Sequence, residues 1–104
     1  MFANDFKNWE DVMREFAEQV AIPDELFLAS YVQGNYEGEA LVLYRNKDKY
    51  YLVYGSHCSC YGLEGQWNPE EFETRESFIK FLEQYKPYEH TAEVEEIVEG
   101  FKYV

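Results

Sequence analysis

This chain of 104 residues predicts an α+β fold: an N-terminal helix, a three-stranded antiparallel meander and two C-terminal helices, in a single domain over residues 1–104. Three observations carry that prediction. Apolar residues recur at helical spacing near the start, runs suited to a pleated sheet follow between Glu25 and Tyr54, and helical spacing returns twice after Thr74. Material for a core is present, since 46% of residues are hydrophobic and 19% aromatic, a composition that acidic disordered tails lack.

The first helix rests on Phe6, Trp9, Met13, Phe16 and Val20, whose spacing places all five on one face. Asn4, Asp5 and Asn8 each offer a capping oxygen at its start, and Pro23 stops it. Glu25 to Gln33 is the first strand, closed by Gly34-Asn35. Glu39 to Arg45 and Lys49 to Tyr54 form a hairpin turned by Asn46-Lys47-Asp48, with Leu41 and Leu43 on one face of the middle strand and Val42 and Tyr44 on the other. Tyr54 to Pro69 reads as a shaped loop and not a strand, because Gly55, Gly62 and Gly65 mark places of positive φ or close approach. Asn68 to Glu73 extends briefly. Thr74 caps the second helix, whose apolar face is Phe78, Ile79, Phe81, Leu82 and Tyr85 and whose end is Lys86-Pro87. Thr91 caps the third, with Val94, Ile97, Val98 and Phe101 inward while Glu89, Glu93 and Glu96, and Glu95 and Glu99, form two outward rows.

Charge narrows the function classes. The net charge is -12, from 21 acidic and 9 basic residues, which repels phosphate backbones and anionic lipid and favours a basic protein partner. The excess is uneven: residues 1–25 carry seven acids and two bases, residues 26–63 three of each, and residues 64–104 eleven acids and four bases. The predicted sheet is therefore neutral and the helices are acidic. Glutamates on a helix solvate its outer face, but carboxylates four apart also stand about 6 Å apart along the axis, comparable to successive phosphates. No apolar run approaches the roughly 18 residues of a membrane span, and the first residues lack a signal-peptide pattern, so the expected compartment is the cytoplasm.

The glycine-rich segment gathers both cysteines and one of the two histidines. His57, Cys58 and Cys60 are three metal-ligand types within four residues, but zinc sites favour wider Cys spacing and need a fourth ligand, for which His90 or a second copy of the chain is the source. In an extended segment His57 and Cys58 point to opposite sides, poor geometry for a nucleophile and its base, whereas Cys58 and Cys60 share a side and are able to form a strained disulfide. Small buried thiols filling a turn are the third reading. No phosphate loop, nucleophile elbow, His-Glu-x-x-His pair or calcium loop occurs, and no cofactor is expected.

Gly55-Ser56-His57-Cys58-Ser59-Cys60-Tyr61-Gly62, followed by Glu64-Gly65-Gln66-Trp67 and Pro69-Glu70-Glu71, resembles a short motif of small acidic proteins from bacteriophages and mobile elements. What the resemblance implies is an inhibitor of a host nuclease or defence complex, in some cases by duplex mimicry. It carries over no functional residue. The expected function is thus a non-catalytic protein-binding module for a basic host protein. Its candidate contacts are Glu70, Glu71, Glu73 and Glu76, then Glu93, Glu95, Glu96 and Glu99, with Tyr61 and Trp67 as aromatic anchors. The alternative is a metal- or thiol-dependent protein using His57, Cys58 and Cys60.

Overall fold

The computed structural model describes residues 1–34, 37–57, 62–85, 87 and 89–102. Its elements in chain order are β1 (Phe2–Asn4), α1 (Trp9–Phe16), β2 (Glu25–Gln33), β3 (Gly38–Asn46), β4 (Lys49–His57), β5 (Glu70–Phe72), α2 (Arg75–Gln84) and α3 (Thr91–Lys102). The strands form one sheet in the order β1-β2-β3-β4-β5, with β1 parallel to β2 and every other pair antiparallel. The expected three-stranded antiparallel meander led by a helix is corrected to a five-stranded mixed sheet led by a strand. Both extra strands are three residues long, too short to show the alternation that marks a strand in sequence, and β5 lies within the Asn68 to Glu73 stretch expected to extend briefly.

Two cores lie on opposite faces of the sheet. On β3, Ala40, Val42 and Tyr44 join Phe6, Val12 and Phe16 beneath α1, while Leu41 and Leu43 join Phe78, Leu82, Val94 and Val98 beneath α2 and α3. The α1 face is closed by the segment after β4: Leu63 is 1% exposed, and Trp67 meets Trp9 and Phe16 edge-on and stacks on Tyr44. β4 continues through Gly55 to His57, so the first part of the expected loop is strand. A Cβ at Gly55 would meet side-chain atoms of Phe16 and Leu63 at 3.0 Å, closer than ordinary contact, so a larger residue there would press those side chains aside. Gly65, at φ +80, supplies the positive φ of the turn that follows.

α1 is shorter than its apolar stripe. Asn8 caps it by accepting from Asp11 N at 2.9 Å, and it ends at Ala17 in the left-handed region, where Ala17 N donates to Arg14 O and Glu18 N to Met13 O in a Schellman motif. Phe6 is buried ahead of the helix, and Val20 lies beyond it, its carbonyl accepting from Trp9 Nε1 at 2.7 Å. Thr74 caps α2 as expected, and Ser77 completes a reciprocal capping box. Thr91 is not the cap of α3: its hydroxyl donates back to Pro87 O at 2.7 Å, and His90 O accepts from Val94 N.

Candidate functional site

Among the described residues the buried polar side chains Ser30, Glu39 and His90 lie on the α2–α3 face. Strand alternation sets Ser30, Glu39 and Tyr54 on this face near one end of the sheet, and His90 enters from the turn before α3. His90 Nδ1 lies 2.8 Å from Glu39 Oε1 and Nε2 lies 2.9 Å from Ser30 Oγ. A carboxylate only accepts, so Nδ1 donates to Glu39, while Nε2 shares a hydrogen bond with the Ser30 hydroxyl, which is able to donate or accept. Asn4 Nδ2 donates to Ser30 Oγ at 2.6 Å, Glu89 N donates to Glu39 Oε1 at 3.0 Å, and Tyr54 donates its hydroxyl to Glu39 Oε2 at 3.2 Å. Burial and then the neighbouring Tyr54, Glu39 and Glu70 push the Tyr85 phenol above its ordinary range, and burial and then Glu39 raise that of Tyr54.

The order Ser, His, Glu matches the hydrogen bonding of a nucleophile, base and orienting acid. Its setting does not match, because Ser30 and His90 are 0% exposed and the Ser30 oxygen is already engaged by Asn4. What the network does in this conformation is fasten β1, β2, β3 and β4 to the start of α3. Each buried polar atom named has a partner, so its desolvation is compensated.

Fixing α3 in that way shapes an open groove of about 490 Å³ between α2 and α3. Leu82, Ala92 and Val98 form its apolar floor. Glu83 of α2 and Glu95, Glu96 and Glu99 of α3 line it, with Lys102 as the cation. Of the residues expected as contacts, the groove unites Glu95, Glu96 and Glu99 and leaves out Glu93, which is half-buried on the same helix. Glu83 and Lys102 were not expected. Their presence depends on the antiparallel packing of two helices, which no local pattern encodes.

The other candidates separate. Glu70 and Glu71 lie on the edge strand β5, and Glu71 accepts from Tyr51 Oη at 3.0 Å and pairs with Lys49 at 3.3 Å. Glu73 pairs with the same lysine at 3.7 Å, and these carboxylates raise the Lys49 ammonium above its ordinary value. Glu76 lies in the first turn of α2, where the helix dipole favours it. Trp67 is half-buried in the aromatic cluster under α1. Tyr61, Cys58 and Cys60 lie outside the described residues, so the expected anchor and the thiol and metal readings of that segment have no geometry here. His57 ends β4 half-buried, its ring edge-on to Tyr31 at 5.7 Å. Among the described residues no three His, Cys, Asp or Glu side chains converge as a metal site would require.

This geometry defines a three-layered α+β protein with an acidic groove between α2 and α3. No protein-family model, curated protein or solved structure matches the chain. Among its described residues no helix is long and apolar enough to cross a membrane.

Proposed function

We propose that this chain is a small acidic, non-catalytic protein-binding module that engages a basic segment of its partner in the groove between α2 and α3. The observation that carries the reading is the composition of the groove: among the described residues four glutamates and one lysine line it around a floor of Leu82, Ala92 and Val98. An apolar floor with a charged rim suits a partner segment that buries aliphatic side chains and presents lysine or arginine to the carboxylates. The resemblance of residues 55–71 to proteins of phages and mobile elements adds a host nucleic-acid-binding or defence protein as the partner class, with the carboxylates standing where phosphates would.

Capture from host lysate with three forms of the protein tests this reading. The wild type is compared with a groove variant, Glu83→Gln with Glu95→Gln, Glu96→Gln and Glu99→Gln, and with a control of equal charge, Glu10→Gln with Glu15→Gln, Glu18→Gln and Glu64→Gln. The control removes its charges from the α1 side. The expected result is a basic protein held by the wild type and the control, released by salt and lost from the groove variant. Equal capture by the groove variant would show that the groove is not the contact surface.

A further inference from the structure

A second cavity, of about 580 Å³, opens on the other flank of α3, where the first residues of β2, Tyr50 of β4, the start of α2 and the last turn of α3 meet. Its walls are aromatic. Phe27, Tyr50 and Phe101 line it and are each half-buried, with Phe27 stacked on Tyr50 at 6.1 Å and edge-on to Phe101 at 5.1 Å. Three independent features of the chain build this cavity and give it a polarity.

The first is a β-bulge. The register of β2 against β3 slips between Leu26 and Leu28, which leaves Phe27 as the extra residue. Strict alternation from Ala29 would send Phe27 beneath α1, and the bulge turns it instead to the face of α2 and α3. The second is Gly100. Glycine is less favourable than alanine within a helix, yet a Cβ built at Gly100 would meet nothing within 4 Å, so internal packing does not require it. A glycine there keeps the backbone of α3 open to whatever enters the cavity.

The third is Arg75, the first residue of α2, where the helix dipole disfavours a cation. Its guanidinium carbon lies 5.1 Å from the centre of the Phe101 ring, and Nη2 donates to Phe101 O at 2.8 Å. Arg14 pairs with Asp11 and Arg45 with Glu25, but among the described residues no carboxylate lies in ion-pair range of Arg75. Its remaining N–H groups form a fork that suits a planar carboxylate. The nearby acid on the rim, Glu25, is held by Arg45 Nε at 3.0 Å, which offsets its charge.

We propose that this cavity binds a small aromatic carboxylate, with its ring against Phe27, Tyr50 and Phe101 and its carboxylate on Arg75. The volume lies within the usual range for small-molecule sites, and the mixture of aromatic wall and one cation is the lining such a ligand recognises. This site is distinct from the acidic groove, and neither proposal depends on the other.

The test is a titration of the isotope-labelled protein with 3-phenylpropionate and, separately, 3-phenylpropylamine, followed by two-dimensional NMR of the backbone amides. The expected result is saturable shifts at Phe27, Arg75, Gly100 and Phe101 with the acid, with Kd on the order of millimolar for so small a probe, and weaker binding of the amine. Arg75→Gln is expected to weaken the acid by about tenfold or more. Gly100→Leu, which fills open space in a helix and leaves the fold intact, abolishes the shifts. The assignment is overturned if the acid produces no saturable shift at these residues, if the amine binds as tightly, or if folded Gly100→Leu protein binds like the wild type.

Discussion

The two faces of the sheet solve the same burial problem differently. Beneath α1 the contacts are aromatic and closed: Phe6, Phe16, Tyr31, Tyr44 and Trp67 pack ring against ring, and the segment after β4 seals them. Beneath α2 and α3 the apolar core gives way at one end to Ser30, Glu39 and His90, and the two cavities described above flank α3. The α1 face contributes stability. The α2–α3 face spends some of its area on a polar network that sets the position of α3, and α3 shapes both grooves. In this molecule the two grooves described above and the buried Ser30–Glu39–His90 network belong to the same side.

The largest expected effect comes from the closed face. Phe16 is fully buried, so Phe16→Ala should cost about 3–5 kcal/mol in urea denaturation, from lost transfer energy and the cavity left among Phe6 and Trp67. On the other face, Glu39→Ala removes the acceptor of His90 Nδ1, Glu89 N and Tyr54 Oη. It should cost about 3 kcal/mol and loosen α3, seen as faster amide exchange at Val94 and Val98 than at Val12. Equal exchange across both helices would sever the link drawn between the network and α3.

Alkaline pH separates the faces as well. Burial pushes the Tyr31 and Tyr44 phenols up to about 12, with the carboxylates of Glu15, Asp5 and Glu64 adding to the effect at Tyr31 and Tyr51 at Tyr44. A folded pKa above the unfolded value of about 10 means that the native state holds its proton longer, so this stabilisation is complete below pH 10. It is lost as pH rises through 12. Ultraviolet titration should therefore show these two phenols ionising after the exposed tyrosines, together with loss of the α1-face core. The smallest effect is a gain: Ala17 holds φ 57, and Ala17→Gly should stabilise the protein by about 1 kcal/mol in the same urea assay.

What the sequence made legible follows the length and regularity of each element. β2 falls at the expected Glu25 and Gln33, the turn at Asn46-Lys47-Asp48 joins β3 and β4, and Thr74 caps α2, because nine-residue strands and a capping oxygen leave strong local signals. β1 left none, and β5 only the brief extended stretch expected at Asn68 to Glu73, since three residues paired at a sheet edge depend on the neighbouring strand and not on their own pattern. The end of α1 was hidden because alanine occupies the left-handed position where glycine would have announced it. The acidic groove was half legible: the helical spacing of Glu95, Glu96 and Glu99 is local, whereas Glu83 joins them only by helix packing. The polar network was not legible. Its Ser30, Glu39 and His90 are separated by up to 60 positions, and each reads alone as an ordinary polar residue.

The most direct test of the central proposal is an NMR titration of the labelled protein with a short lysine- and arginine-rich peptide carrying apolar side chains, at two ionic strengths. The account predicts shifts concentrated at the end of α2 and along Ala92 to Lys102, weakened by salt and absent in the four-glutamine groove variant. Shifts spread evenly over all acidic helices, or undiminished in that variant, would contradict it and leave only net charge at work.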